Sequence, residues 1–174
     1  PAAQCAILAC LMATTVVPTV TAANPAANLD QCANGTVGSP TNPCGWQNGN
    51  LGNSNAHFAE GQSVPFRMIV DNLSPGATVH TLDIGFDITK SGKHAYDYLT
   101  SFQRITESVN PCIGVSPCAL TDTEPMPAPT GSPQPLTSFN ALPANQRMMS
   151  MYQGNIISVV YLAQGDFAQT QSEG

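Results

Sequence analysis

The chain has 174 residues, 5 basic and 11 acidic, for a formal net charge of −6, and 9% of it is charged against roughly 25% in an average globular protein. That length suits one domain, and the acidic balance excludes a phosphate-binding nucleic-acid surface or a polybasic membrane patch, because both need clustered Lys and Arg. The 14 Gly and 15 Pro in so weakly charged a chain predict a loop-rich extracellular β protein rather than a disordered one.

No charged residue precedes Asp30. The apolar run from Cys5 to Val17 stops at Pro18, and Val20-Thr21-Ala22 offers small residues suited to signal-peptidase cleavage. Residues 1–22 therefore read as a secretory signal peptide. The run is shorter than the roughly 20 residues needed to span a bilayer. With neither a charged leading segment nor an initiator Met, residue 1 is expected not to be the natural start.

Cys5 and Cys10 would leave with that segment. Cys32, Cys44, Cys112 and Cys118 remain, an even number in a chain expected to be secreted, which favours disulfides. A four-Cys zinc site would need short C-x2-4-C pairs, which are absent. Of the three possible pairings, Cys32–Cys44 and Cys112–Cys118 are preferred, since each brackets a Gly/Pro/Asn-rich stretch. Closing a loop of about 13 residues is worth on the order of 3 kcal/mol.

Residues 23–63 form a loop-rich N-terminal segment in this reading, punctuated by Asn34-Gly35, Ser39-Pro40, Asn42-Pro43 and the Asn/Gly-rich stretch 48–55. One short strand is expected before Cys44 or around Trp46. Residues 64–174 then form the β-sandwich core. In Val64–Asp71, Phe66, Met68 and Val70 share one face of a strand. After a turn at 72–76, His80, Leu82, Ile84, Phe86 and Ile88 alternate with polar residues, which predicts the strongest strand of the chain. Lys90–Lys93 is a turn. His94–Ile105 fits helical or strand spacing, and its aromatic and Thr content favours a strand. The Pro-rich stretch 121–143 predicts an extended, polyproline-like loop. Asn155–Leu162 predicts a buried strand. A sandwich needs about seven strands and five or six are counted, so the carboxyl terminus too is expected not to be the natural end.

Four stretches carry a resemblance: Asn28–Cys32, Trp46–Gly52, His57–Arg67 and Lys90–Thr100. Together they make residues 28–165 similar to the N-terminal region of large secreted bacterial surface proteins that continue into immunoglobulin-like or prealbumin-like modules. The resemblance implies an exported surface or matrix protein with a β-sandwich leader domain. It implies no catalytic residue, so none is carried over. The fold class expected is all-β, an immunoglobulin-like sandwich.

Candidate chemistry is sparse. Asp83 and Asp87 fall on one expected strand face, about 13 Å apart, too far for a glycosidase pair with its spacing of about 5–9.5 Å. Asp71, Asp83, Asp87 and Asp97 could together supply calcium oxygens, although no D-x-D-x-D-G loop occurs. His57 with Glu60, and His94 with Asp97, place ligand-type residues three apart, and His80 could join them as a metal ligand; its phase favours the buried strand face. No nucleophile elbow, H-E-x-x-H, Walker or dinucleotide signature appears. Trp46, Tyr96, Tyr98, Tyr152 and Tyr161 could stack sugars, as in a carbohydrate-binding module, or fill a core. Asn34-Gly35-Thr36 and Asn72-Leu73-Ser74 match the glycosylation sequon.

The function expected is a non-catalytic structural or adhesive module, secreted or at the cell surface, with no cofactor, no catalytic or metal residue and a protein or glycan partner. Neither nucleic acid nor membrane insertion of the mature domain is expected. The loops 48–55 and 121–143 are expected to contact the partner, and an open sheet edge to allow self-association. The alternatives are a carbohydrate-binding module and a calcium-dependent hydrolase fragment.

Overall fold

A computed structural model describes residues 24–73, 79–129, 133–161 and 172–173. The expected signal peptide, with Cys5 and Cys10, lies outside the described residues. Three strands dominate the amino-terminal half. β1 (Ala26–Thr36) and β2 (Ser39–Gln47) form an antiparallel hairpin, and β3 (Phe66–Asp71) pairs antiparallel with the other side of β1, giving the order β2-β1-β3.

The two long strands replace the loop expected over residues 28–47. Their Asn, Gly and Pro residues are tolerated for local reasons. β2 lies at the edge of this sheet, where Pro40 and Pro43 need no ladder N–H. The register shifts between Ala33 and Gly35, and Gly35 takes φ +82° at this bulge. A Cβ at position 35 would lie 2.4 Å from the Ser39 carbonyl oxygen and 2.6 Å from the Thr41 backbone nitrogen. Gly35→Ala is accordingly expected to cost more than about 1 kcal/mol. Denaturant unfolding would read this as a lowered midpoint, and an unchanged midpoint would refute the close approach.

Register sorts the side chains of the sheet onto two faces. The pairs Ala27 with Val70 and Leu29 with Met68, together with Phe66 opposite Gln31, set a largely apolar row on one face. Asp30 opposite Arg67, and Cys32 opposite Trp46, set a polar and disulfide-bearing row on the other. The expected period-two face of β3 is therefore present. It is the more open of the two: Leu29 is 48% exposed, Phe66 39% and Val70 39%. The buried side chains of β1 are Asp30, Cys32 and Asn34.

Several expected elements differ. β3 pairs with β1, not with a strand at 80–88. Residues 79–84 carry no strand, and His80 and Leu82 are exposed. Only β4 (Gly85–Phe86) forms there, paired with β9 (Ser172–Glu173). Alternation alone did not supply a partner for 79–84. β5 (Thr89–Lys90) and β6 (Lys93–His94) form a tight hairpin whose expected turn has positive φ at Ser91 and Gly92. Residues 95–105 contain neither strand nor helix; bends and hydrogen bonds to other segments hold them.

The expected Pro-rich loop 121–143 is also replaced. β7 (Leu120–Pro125) pairs antiparallel with β8 (Met148–Tyr152), and α1 (Pro133–Ala141) lies between them in sequence. Pro133 and Pro135 occupy the first turn of α1, where the missing N–H has no intrahelical partner to lose. Residues 155–161 of the expected final strand are not in a strand, and Ile157 is 73% exposed; Leu162 lies outside the described residues. The regular structure among the described residues is thus mostly β, with little helix and all pairing antiparallel.

Two clusters hold the chain together. One lies on the polar face of the three-stranded sheet. The other surrounds buried Phe139 of α1, which meets Tyr98 edge-on at 5.4 Å and the Arg147 guanidinium at 5.4 Å. Beside it, buried Ser101 bonds through its hydroxyl to Asn145 and to both backbone groups of Met148.

Candidate functional site

The densest constellation of polar groups is the inner face of the β2-β1-β3 sheet, covered by residues 104–118 and by His57. Both preferred disulfides are formed. Cys32–Cys44 spans 5.6 Å between Cα atoms and Cys112–Cys118 spans 5.5 Å. The first is fully buried between β1 and β2.

Next to it, Arg67 donates from Nε and Nη2 to Asp30 Oδ2, each at 2.9 Å. Its Nη1 donates to the carbonyls of Pro111 at 2.8 Å and Ile113 at 2.6 Å. The guanidinium also sits 4.7 Å from the Trp46 ring centroid, and the Trp46 indole N–H donates to the Asn110 carbonyl at 2.8 Å. Asn28 donates to the second Asp30 oxygen. One arginine thereby ties β1, β2 and β3 to the Cys112–Cys118 loop.

A second bridge lies farther along β1. Fully buried Asn34 donates to Glu107 Oε2 at 3.2 Å and accepts the His57 backbone N–H at 2.9 Å. His57 Nδ1 lies 2.8 Å from the Gly35 carbonyl, and Nε2 lies 3.2 Å from Glu107 Oε1. A carbonyl only accepts, so Nδ1 carries a proton. Both ring nitrogens are engaged, whereas a general base needs one free for the proton it abstracts.

The other candidates disperse. Glu60 is exposed, and His57 pairs with Glu107 instead. His80, expected on a buried face, is exposed. His94 falls in β6 and Asp97 is exposed. Asp71 and Asp83 are exposed, and Asp87 lies outside β4 and 3.6 Å from Lys90 Nζ. Among the described residues no group of three His, Cys, Asp or Glu is placed to hold a metal ion.

The aromatic residues also divide. Trp46 lies against Arg67, Tyr96 meets Phe66 at 6.0 Å, and Tyr98 meets Phe139. Loop 48–55, expected to contact a partner, is held by bonds within itself and to its flanking strands, with residues 48–50 and 52–54 exposed. Asn55 donates to Gln47, Gln47 to the Asn50 carbonyl, and Gln31 to the Gly49 carbonyl. Asn34 is buried, which removes it as a glycosylation acceptor; exposed Asn72 donates to the Asn24 carbonyl. A recess of about 370 Å³ opens beside β1 and β2, lined by small and polar residues including Gly35, Thr41, Gly45, Ser54 and Asn55, with no titratable group.

Sequence reasoning missed the Asp30–Arg67 and Asn34–His57–Glu107 bridges. A signal was present: Asp30, Cys32 and Asn34 alternate with period two, but the alternation is polar.

Burial pushes the hydroxyls of Tyr96, Tyr152 and Tyr161 above the ordinary tyrosine value of about 10. The Asp87 charge adds to this at Tyr96, and a Leu99 backbone hydrogen bond partly offsets it at Tyr161. Because the folded state favours the neutral phenol, this contribution to stability is complete below the unfolded value. It is lost as pH rises through the raised folded values. Phenolate absorbance is expected to appear at higher pH in the folded than in the urea-unfolded protein; coincident titration curves would refute this.

Compared with family models, with curated proteins and with solved structures, the chain matches none. No helix among the described residues is long and apolar enough to cross a membrane. Two disulfides are compatible with an extracellular setting.

Proposed function

We propose that this chain is a secreted, non-catalytic structural or adhesive module of a bacterial surface or matrix protein. In this reading the β2-β1-β3 sheet is one layer of an immunoglobulin-like leader domain, and further β-modules follow it in the parent protein. The observation that carries the reading is the inversion of the sheet. Asp30, Asn34 and Arg67 are spent inward as braces, and the apolar side chains Leu29, Phe66 and Val70 face outward. Among the described residues no buried side-chain nitrogen or oxygen lacks a partner, so the inner face offers no orphan group for a ligand.

An apolar row on a sheet is suited to contact with a protein surface. β3 adds an edge whose backbone contains no proline, in contrast to β2. The module would work by holding a rigid contact face in place, with two disulfides, the Asp30–Arg67 ion pair and the Asn34–His57–Glu107 bridge behind it.

The test is retention of the purified chain on immobilised envelope or matrix of the producing bacterium. The Leu29→Lys/Val70→Lys variant is expected to lose retention about tenfold or more, with its circular dichroism unchanged. Equal retention of variant and parent would sink the outer-face reading. Retention lost in Trp46→Ala and kept in the lysine variant would instead favour a carbohydrate-binding module.

A further inference from the structure

Two Asn-Gly dipeptides occur in opposite environments, and the contrast singles out one of them as a chemical site. Asn34-Gly35 is locked. Its carboxamide donates to Glu107 and accepts from the His57 backbone, and the Gly35 N–H donates to the Asn55 carbonyl at 3.0 Å. Asn48-Gly49 lies just past the end of β2, with both residues exposed. Among the described residues the Gly49 N–H has no partner. Gly49 adopts φ +132°, and with no Cβ it lets its nitrogen approach the preceding side chain.

We propose that Asn48-Gly49 is a self-modification site that releases the start of the 48–55 loop from its Asn48 ties to β1. The Gly49 backbone nitrogen, giving up its proton to water, attacks Asn48 Cγ. The N–C bond forms as the Cγ–Nδ2 bond breaks, and Nδ2 leaves with a proton as ammonia. Water then opens the five-membered imide at either carbonyl, leaving aspartate or isoaspartate at position 48. No redox partner is needed, since asparagine and water become aspartate and ammonia.

The consequence follows from what Asn48 holds. Its Nδ2 donates to Asn28 Oδ1 and to the Leu29 carbonyl of β1. A carboxylate in its place accepts only, so two donated bonds become contacts between acceptors, one of them charged. The loop then keeps the Gln31 bond to Gly49 and the Gly35 bond to Asn55, but loses both Asn48 ties that fix its start to β1. The inference goes beyond the adhesive reading and does not depend on it.

The test is peptide mapping by mass spectrometry after the oxidised, folded chain has stood in mildly alkaline buffer. A gain of about 1 Da is expected on the peptide holding 48–49, about tenfold or more ahead of the peptide holding 34–35, because reaction at Asn34 must await local opening. In denaturant with reductant the two dipeptides are expected to react alike. Equal rates in the folded chain would overturn the proposal, as would a 34–35 peptide equally slow when unfolded. The release is read separately by proteolysis within 48–55. Asn48→Asp is expected to be cut faster than the parent, and Asn48→Gln, which keeps the donor, is expected to be cut more slowly than Asn48→Asp. An Asn48→Asp chain as resistant as the parent would overturn it.

Discussion

Arg67→Met is expected to lower stability by about 3–5 kcal/mol, the range found when one partner of a buried ion pair is removed. Asp30 would remain as a buried carboxylate with only the Asn28 amide against it. The carbonyls of Pro111 and Ile113 would lose their donor, and the Trp46 ring its cation. Guanidinium unfolding with both disulfides intact would read the loss as a lower midpoint. The double variant Asp30→Leu/Arg67→Met separates the unpaired charge from the lost ties. It is expected to be more stable than Arg67→Met alone, because no buried charge is left without a counterpart. It should remain less stable than the parent, because the carbonyls of 111 and 113 are still released. A midpoint for Arg67→Met equal to that of the parent would refute the role assigned to this arginine.

Removal of the disulfides is expected to be unequal. Cys32→Ala/Cys44→Ala should cost about 3 kcal/mol in the chain-entropy account, for cysteines 12 positions apart. The fully buried pair also leaves space between β1 and β2, which adds to the loss. Cys112→Ala/Cys118→Ala closes a shorter loop, with a separation of 6, and should cost about 2 kcal/mol. That loop is already gripped by Arg67 and by the indole of Trp46 through Asn110, so part of its order survives reduction. Thermal or denaturant unfolding of the two double variants gives the order directly. A larger loss on removing Cys112–Cys118 would reverse this account of which bridge holds the sheet.

The parts legible in the sequence were those that report a local rule. Phe66, Met68 and Val70 alternate and do form β3. Ser91-Gly92 makes the tight turn that its neighbours frame. Each disulfide closes the short stretch that it brackets. The long hairpin of β1 and β2 was illegible because its inward side chains are Asp30 and Asn34, which carry no hydropathy signal. Their burial depends on Arg67, His57 and Glu107, and the last lies 73 positions from Asn34. Residues 80–84 and 155–161 failed in the converse way. Both have apolar residues suited to a strand, but a strand also needs a neighbour to share its backbone bonds. At 121–143 the prolines were read as excluding regular structure, whereas Pro133 and Pro135 fall in the one turn of a helix that accepts them.

The cover over the three-stranded sheet is supplied late in the chain. Asn42 accepts from Ser108, 66 positions on, and Arg67 reaches forward 44 and 46 positions to the carbonyls it holds. A polypeptide emerging amino end first therefore shows β1, β2 and β3 with their carboxylate, amides and guanidinium facing water until residues 104–118 appear. The inner face of the amino-terminal sheet thus gains its cover only when residues 104–118 have joined it.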